Sequence, residues 1–315
     1  MKASQQICRS IVALTAIFVV YSARLSLAQS SATAQWAAYV SGDYRVVPNI
    51  IYVTANNWDA KLDVYTPSEA AGPLPTLIYI HGGGWVRGNK ESNVLRLLPY
   101  LEMGWAVVNV EYRLGPVSLA PAAVEDCRCA LRWVIQNAAE YNFDVSRLVV
   151  TGNSAGGHLS LTTGMLPASA GLDRQCPGTE ELKVAAIVNW YGITDVVDLL
   201  EGENEKSYAV AWLAGMTDRE AVARRVSPLT YVRAGLPPVM TIHGDADPTV
   251  PYTHATRLKE TLDQVGVSNE LVTIPGGGHG GFSRDEMLDI FTKIRPFLSR
   301  HGIENGPRTT SLPAR

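Results

Sequence analysis

The sequence predicts an α/β fold, with a mostly parallel central sheet, helices on both of its faces and a small cap excursion. From Tyr44 onward, short runs rich in β-branched residues alternate with longer amphipathic segments, the pattern of a parallel sheet covered by helices. Most of the short runs are almost continuously apolar, as expected for strands that are buried on both faces. The 315 residues are 46% hydrophobic and 18% charged. The chain can therefore bury a large core, and disorder is excluded as its main state.

Two strands are predicted to precede the parallel part of the sheet. Arg45–Val53 and Ala60–Tyr65 are joined by the turn-forming Ala55-Asn56-Asn57, so we expect them to form an antiparallel edge. Six nearly continuous apolar runs then predict buried strands. They are Thr76–Ile80, Ala106–Glu111, Leu148–Thr151, Val184–Trp190, Val239–His243 and Leu271–Ile274.

Helices are predicted between these strands, where apolar residues recur at helical spacing. They cover Asn93–Met103, Pro121–Glu140, Ala155–Gly164, Thr253–Gly266 and Asp285–Arg300. Residues 195–233 are more polar and irregular, with short helices expected at Ser207–Leu213 and Asp218–Arg225, and they predict a small cap-like insertion. We therefore expect one domain over residues 29–303. The tail 304–315 has no apolar period and is predicted to be disordered.

The N-terminal residues have the pattern of a secretory signal peptide. Lys2 and Arg9 form a positive start, residues 11–21 form an apolar stretch, and Ser26-Leu27-Ala28 offers small residues for cleavage. A membrane anchor is the alternative, but the apolar run has 11 residues and spanning a bilayer takes about 20. We expect removal of residues 1–28, a secreted or periplasmic protein, and no stable membrane insertion afterwards.

Charge and cysteine content narrow the possible partners. The chain has 27 basic and 30 acidic residues, a net charge of -3 and no Lys/Arg-rich run, so a nucleic-acid partner is not expected. No metal site is expected, because neither a CxxC pair nor a histidine cluster is present. The oligomeric state is left open.

The cysteines that follow the signal peptide predict one disulfide. Cys127 and Cys129 are two residues apart on a predicted helix and point to different faces, which makes them poor partners for each other. Cys127 shares its helix face with apolar residues and is expected to be buried. The predicted disulfide therefore joins Cys129 to Cys176.

The segment that follows the strand Leu148–Thr151 carries the strongest chemical signal. This strand runs into Gly152-Asn153-Ser154-Ala155-Gly156 and then directly into a helix, the context of a Gly-x-Ser-x-Gly nucleophile elbow. The glycines leave room for a strained turn, from which Ser154 projects at the carboxyl edge of the sheet and at the positive end of a helix dipole. Ser154 is predicted to be a nucleophile.

A serine hydroxyl needs a base to take its proton and a carboxylate to orient that base. Asp247 follows the strand Val239–His243 in a proline-containing turn, and His279 lies among glycines after Leu271–Ile274. His279 has no apolar face on which to pack, so a purely structural role is disfavoured. The chain order Ser154, Asp247, His279 is typical of hydrolases of this architecture.

Two other aspartates compete with Asp247. Asp245 lies in the same turn, and Asp195 follows the strand that ends at Trp190. We favour Asp247 as the partner of His279 and expect Asp245 to hold the turn.

The remaining histidines are given structural roles. His81 and His243 end buried strands and are expected to brace loops by hydrogen bonds. His158 is expected to pack inside a helix, and His254 and His301 are expected to be solvated.

A glycine loop after the strand Thr76–Ile80 offers donors for an oxyanion. His81-Gly82-Gly83-Gly84-Trp85 exposes backbone N–H groups that a ligand can approach closely. We assign the oxyanion hole to Gly83, Gly84 and Ala155. A phosphate loop is excluded because no Gly-Lys-Ser/Thr follows, and a dinucleotide loop because no helix opens here.

Several motifs together resemble those of α/β-hydrolases from the esterase and lipase group that has an HGGG oxyanion loop. They are His81–Trp85, Asn109–Leu114, Glu125–Cys127, Gly152–His158, Trp190–Gly192 and His243–Asp247. The set is most similar to bifunctional feruloyl and acetylxylan esterases, and more loosely to hormone-sensitive-lipase-like carboxylesterases and kynurenine formamidases. The resemblance extends from about Asn49 to Arg300. It implies an α/β-hydrolase catalytic domain, a Ser-Asp-His esterase, acyl-enzyme chemistry and no cofactor.

These observations predict an exported serine carboxylesterase. The resemblance suggests acetyl or feruloyl esters of plant polysaccharide as substrates. Trp85 and Tyr191 are predicted to line the substrate pocket, with core packing as the alternative for Trp85. An amide or formamide hydrolase, or an exopeptidase, is the alternative within catalysis. A non-catalytic binding protein on a hydrolase scaffold is the alternative from another class, disfavoured because all three catalytic residue types are present.

Overall fold

The computed structural model describes residues 32–304 of the chain. The predicted signal peptide and residues 305–315 of the predicted tail lie outside the described residues. Helix α1 (Ala32–Asp43) belongs to one unit, and a second, compact unit begins at Tyr44, whereas the domain was predicted to begin at residue 29. None of the helices in residues 32–304 is long and apolar enough to cross a membrane.

The core of the compact unit is an eight-stranded sheet in the order β1-β2-β4-β3-β5-β6-β7-β8. The strands are β1 (Tyr44–Ala55), β2 (Trp58–Pro67), β3 (Leu74–Ile80), β4 (Ala106–Val110), β5 (Phe143–Asn153), β6 (Ala186–Trp190), β7 (Val239–Gly244) and β8 (Asn269–Ile274). β2 pairs antiparallel with β1 and β4, and every other pair is parallel. Every residue of β3, β4, β6 and β7 is buried, so both faces of the sheet centre are covered. The α/β fold and its antiparallel edge are confirmed.

Between Tyr44 and residue 304, eight α-helices lie between or after the strands. They are α2 (Leu98–Glu102), α3 (Ala122–Gln136), α4 (Ala138–Tyr141), α5 (Ala155–Met165), α6 (Ser207–Trp212), α7 (Arg219–Val226), α8 (Thr253–Gln264) and α9 (Arg284–Arg300). The buried residues of α9 recur on one apolar face. Helix α3 is instead buried on nearly all sides, with 11 of its 15 residues buried.

Two predicted helices are interrupted in the structure. The segment predicted as one helix, 93–103, is a 3₁₀ helix, Lys90–Leu97, followed by α2. Asn93 leaves helical geometry at φ -128° and ψ 20°, and Pro99, which lacks a backbone N–H, fits only the first turn of α2. The helix predicted over 121–140 is divided at Asn137 into α3 and α4.

The segment between β6 and β7 contains the predicted insertion, residues 195–233. It holds α6, α7 and three short 3₁₀ turns. Ala209, Trp212, Ala223 and Val226 point inward and belong to the same hydrophobic cluster as the sheet. The insertion is therefore packed into the main core, because its helices are too short to bury a core of their own.

The predicted disulfide is present. Cys129 on α3 is bonded to Cys176 in the segment that precedes β6, with a Cα–Cα distance of 5.6 Å. Cys127 is a buried free cysteine, as expected.

A buried ion pair fixes the loop after β4 to helix α3. Arg113 donates from Nε and Nη2 to both carboxylate oxygens of Asp126, at 2.7 to 3.0 Å, and its backbone N–H donates to the same carboxylate at 2.8 Å. Arg113 is 2% exposed and Asp126 is fully buried. Removing the Asp126 charge would leave Arg113 with only the more distant and partly exposed Glu125, whose Oε2 lies 3.8 Å from its Nη2, which is costly.

Asp126→Asn is expected to lower the free energy of unfolding by about 3 to 5 kcal/mol, because Arg113 loses its nearest and fully buried counter-charge and keeps only the partly exposed Glu125. Urea denaturation measures this loss. Glu220→Gln is the control, since it removes one partner of the exposed Arg224–Glu220 pair on α7 and should cost about 1 kcal/mol or less. Equal losses in the two variants would contradict the argument.

Candidate active site

Ser154 lies between the last residue of β5 and the first residue of α5. Its backbone has φ 57° and ψ -121°, a conformation that residues with side chains rarely adopt. The chain also passes very close to the end of β3, where a Cβ on Gly156 would lie 2.1 Å from the carbonyl oxygen of Ile80. Only glycine fits there, which explains in structural terms the Gly-x-Ser-x-Gly pattern.

A chain of hydrogen bonds runs from Ser154 through His279 to Asp247. His279 Nε2 lies 2.8 Å from Ser154 Oγ, and His279 Nδ1 lies 2.7 Å from Asp247 Oδ2. A carboxylate can only accept, so Nδ1 carries the proton and Nε2 is left to accept the serine proton. The three residues predicted from the sequence are thus brought together, and their hydrogen bonds have the donor and acceptor directions that a serine nucleophile requires.

Asp247 is buried among hydrogen-bond donors. Its Oδ1 accepts from the backbone N–H groups of Thr249 at 2.8 Å and Val250 at 3.0 Å, and its Oδ2 lies 3.2 Å from His243 Nε2. Burial raises the pKa of Asp247, but the hydrogen bonds from His243, His279 and Val250 outweigh burial and hold this pKa well below its usual range. Asp247 is therefore ionised beside His279.

The competing aspartates have other partners. Asp245 Oδ1 accepts from the backbone N–H of Gly276 at 2.6 Å, which ties the turn after β7 to the loop after β8. Asp195 pairs with Arg257 at 2.7 Å. The geometry therefore favours Asp247 as the partner of His279.

The loop from His81 to Trp85 leads away from β3 beside the elbow. Gly83 has φ 127°, and a Cβ there would lie 1.9 Å from the carbonyl oxygen of Arg87, so the loop requires glycine. The backbone N–H groups of Gly83, Gly84 and Ala155 donate no hydrogen bond within the described part of the chain. Gly83 and Gly84 are partly exposed and can meet a ligand, whereas Ala155 is fully buried.

His81 fixes the orientation of one peptide in this loop. Its Nδ1 lies 2.8 Å from the carbonyl oxygen of Gly82, and its ring stacks on Tyr112 at 4.3 Å. The C=O and N–H of a trans peptide point in opposite directions, so this bond turns the N–H of Gly83 away from His81. Burial lowers the pKa of His81 to about 4, which keeps the ring neutral.

A cavity of about 300 Å³ lies beside this constellation, although Ser154, Asp247 and His279 are not among its lining residues. Asn153, which precedes Ser154, and Phe282, which follows His279 by three residues, contribute to its wall. The rest of the wall contains four more aromatic residues, Tyr79, Tyr100, Trp190 and Phe291, and six residues that are not aromatic, among them Arg96. The sequence reasoning missed this cavity, because its wall comes from separate elements and follows no motif. The only signal was the aromatic residues near the ends of β3 and β6, where α/β sheets bind ligands.

Residues 62–262 match the model of the BD-FAE family. The chain belongs to the BD-FAE family. It is 33% identical over 211 residues to the probable carboxylic ester hydrolase LipM of Mycobacterium tuberculosis, covering 62% of this chain and 47% of LipM. The chain spans about half the length of the first curated relatives that it matches.

Solved structures give the same picture for this BD-FAE member. A thermophilic esterase, Est2 of Thermogutta terrifontis, superposes with a TM-score of 0.70 and 27% identity, covering 85% of this chain and 96% of Est2. Est2 has also been solved with propionate and with butyrate bound, and phosphonylated by cyclosarin. A truncated carbohydrate esterase from gut microbiota has a TM-score of 0.65 and 28% identity, covering 79% of this chain and 95% of that one.

The structure gives the two predicted pocket residues different surroundings. Trp85 is fully buried and stacks on Trp212 at 4.2 Å, so it occupies the core and does not line the cavity. The alternative prediction for Trp85, core packing, therefore holds in place of substrate contact, because Trp212 of the insertion covers the ring of Trp85. Tyr191 was also predicted to line the pocket, but it is 2% exposed and is not among the residues that line the cavity; its ring lies 4.7 Å from that of His279.

One prediction for the remaining histidines is wrong. His254 was expected to be solvated, but it is fully buried at the start of α8, where Thr194 N–H donates to its Nδ1 at 3.1 Å. This bond fixes the segment that follows β6, and no sequence pattern predicts it. His158 packs as predicted, and His81 and His243 bond backbone carbonyls as predicted. Within residues 32–304 no group of three or more His, Cys, Asp or Glu could hold a metal ion.

Asp247→Asn is expected to slow the covalent labelling of Ser154 by a fluorophosphonate probe about 10⁴-fold, because an amide cannot hold His279 in the required tautomer. Rates of labelling, followed by intact-protein mass, measure this effect. Asp245→Asn is the matched control in the same turn, and its labelling rate should stay within a few-fold of that of the unmodified protein. A larger loss in Asp245→Asn would reassign the carboxylate.

Proposed function

We propose that this BD-FAE member is a serine carboxylesterase. The observation that carries the proposal is the hydrogen-bonded chain Ser154–His279–Asp247, with the free backbone N–H groups of Gly83, Gly84 and Ala155 at the same sheet edge. A site of this kind can form and hydrolyse an acyl-serine. The intact chain of hydrogen bonds also argues against a non-catalytic binding protein.

In the proposed reaction, Ser154 Oγ forms a bond to the ester carbonyl carbon while its proton moves to His279 Nε2. The negative charge on the carbonyl oxygen is met by the N–H groups of Gly83, Gly84 and Ala155. The carbon–oxygen bond to the alcohol then breaks, and His279 returns the proton to the leaving alcohol. Water then attacks the carbonyl carbon of the acyl-serine and gives a proton to His279. The carbon–oxygen bond to Ser154 breaks, and His279 returns this proton to Ser154 Oγ as the acid is released. Asp247 orients His279 throughout and stabilises the imidazolium each time it forms.

The relatives support ester hydrolysis as the reaction. LipM carries the name of a carboxylic ester hydrolase, and Est2 binds propionate and butyrate. Est2 is also phosphonylated by cyclosarin, an electrophile of the type that reacts with activated serines. These properties belong to those proteins and are carried over here as part of the proposal.

We propose acetyl or feruloyl esters of plant polysaccharide as the substrates. The aromatic wall of the cavity suits a planar aromatic acyl group, since rings pack favourably edge-to-face or offset. Phe291 on α9 and Trp190 at the end of β6 lie 6.1 Å apart in this wall, at a tilt of 49°. The resemblance to a gut carbohydrate esterase agrees with a polysaccharide-linked ester.

Export to the periplasm or the exterior is proposed together with this activity. The signal-peptide pattern of residues 1–28 supports it. The Cys129–Cys176 disulfide also supports it, because disulfides persist mainly in oxidising compartments.

Ser154→Ala is expected to lower kcat for p-nitrophenyl acetate about 10⁶-fold, because no other group can form the acyl intermediate. Stopped-flow release of p-nitrophenol measures kcat and the burst of acyl-enzyme. Ser160→Ala is the matched control, because Ser160 lies on α5, the helix that begins directly after Ser154, and its hydroxyl donates to the carbonyl of Gly156. Unchanged turnover in Ser154→Ala would refute the proposal, and equal turnover of p-nitroacetanilide would favour the amide hydrolase.

Phe291→Ala is expected to lower kcat/KM for methyl ferulate about 10-fold or more, since it removes an aromatic contact worth roughly 1.5 to 3 kcal/mol when buried. Hydrolysis of p-nitrophenyl acetate should be unaffected, because an acetyl group does not reach the aromatic wall. Leu288→Ala on the same helix is the control, as Leu288 is 56% exposed. Equal losses on both esters would contradict the assignment of the cavity to the acyl group.

A further inference from the structure

The insertion, residues 195–233, contacts the loop that carries Gly83 and Gly84 through Trp85. Trp85 has φ 61°, a left-handed conformation that is strained for a bulky residue. Its indole stacks on Trp212 of α6 at 4.2 Å with an interplanar angle of 12°. Its Nε1–H donates to Nδ1 of His158 at 3.1 Å. These two contacts hold the end of the loop in a conformation that it would not adopt alone.

His158 joins three elements in one hydrogen-bonded unit. It lies one turn after Ser154 on α5, and its backbone N–H donates to the carbonyl of Ser154 at 3.0 Å. Because Nδ1 accepts from Trp85, Nε2 carries the proton, and it donates to the carbonyl of Val226 on α7 at 2.7 Å. Burial lowers the pKa of His158 to about 3, so this tautomer persists at neutral pH.

Tyr208 on α6 contacts both loops that border the reacting atoms. A Cβ on Gly84 would lie 2.9 Å from Cβ of Tyr208, so the two chains are in close contact. The hydroxyl of Tyr208 donates to the carbonyl of Thr249 at 3.0 Å, and the N–H of Thr249 donates to Asp247 at 2.8 Å. One side chain of the insertion thus links the glycine loop to the turn of the catalytic aspartate.

From these contacts we propose that the insertion is a brace for the oxyanion loop and the aspartate turn, and that His158 and Tyr208 are the positioning residues through which it acts. The inference rests on the proposed function, in which Gly83 and Gly84 stabilise the oxyanion. An oxyanion exists only in the transition state and the tetrahedral intermediates, so loss of the brace lowers kcat and leaves substrate binding unchanged.

Tyr208→Phe tests the link to the aspartate turn, because it keeps the ring against Gly84 and removes only the hydroxyl. We expect kcat for p-nitrophenyl acetate to fall about 10- to 100-fold, with KM within about 2-fold, since small displacements of catalytic groups cost about this much. Tyr231→Phe is the matched control, because it removes another tyrosine-to-carbonyl bond of the insertion, to Arg225. Its kcat should be unchanged.

His158→Gln and His158→Asn test the link to Trp85. Asparagine places an acceptor where Nδ1 lies and keeps the bond from Trp85, whereas glutamine reaches only toward Val226. We therefore expect His158→Gln to lose about 10- to 100-fold in kcat and His158→Asn to recover most of this loss. If His158→Gln does not fold, Tyr208→Phe carries the test.

The outcomes separate this inference from the proposed function. If Ser154→Ala is inactive and Tyr208→Phe keeps kcat within about 3-fold of the unmodified protein, the brace is refuted and the esterase stands. A loss in Tyr208→Phe that appears equally in Tyr231→Phe also refutes the brace. If Ser154→Ala keeps its activity, the proposed function itself fails.

Discussion

The backbone conformation of Ser154 is the constraint on which the rest of the site depends. Its positive φ costs of order 1 to 3 kcal/mol, and such strain persists only where the surroundings over-determine it. Here the N–H of Ser154 donates to the carbonyl of Trp190 at 2.9 Å, and its own carbonyl accepts from His158 at 3.0 Å. The turn is therefore held by β6 on one side and by α5 on the other, so that Oγ stands clear of the sheet.

The parallel sheet explains how residues far apart in the chain meet at this turn. β5 has β3 as one neighbour and β6, β7 and β8 in order on its other side. The glycine loop after β3 therefore lies on one side of Ser154, and Asp247 after β7 and His279 after β8 lie on the other. This much could be predicted from the sequence, because buried parallel strands are long apolar runs and the polar residues that end them stand out.

What could not be predicted depends on contacts between distant segments. Trp85 was expected in the pocket because it follows the glycine loop, yet Trp212 from the insertion covers it. The burial of His254 could not be predicted from its sequence neighbours, because its partner Thr194 lies 60 residues away in the chain. The kink at Asn93 could not be predicted either, since local helix propensity does not depend on how a short segment packs between its neighbours. The aromatic cavity shows the same limit, being assembled from side chains of several elements.

The distribution of charge around Ser154 follows from these contacts. His81 and His158 each have a fixed partner and a pKa lowered by burial, so neither takes up a proton at neutral pH. Asp247 stays ionised, because its hydrogen bonds outweigh its burial. The proton that leaves Ser154 in the proposed reaction therefore moves most favourably to His279. In the described part of the chain, Asp247 is the only ionised carboxylate that contacts His279. Because His81 and His158 stay neutral, neither adds a positive charge near the developing imidazolium.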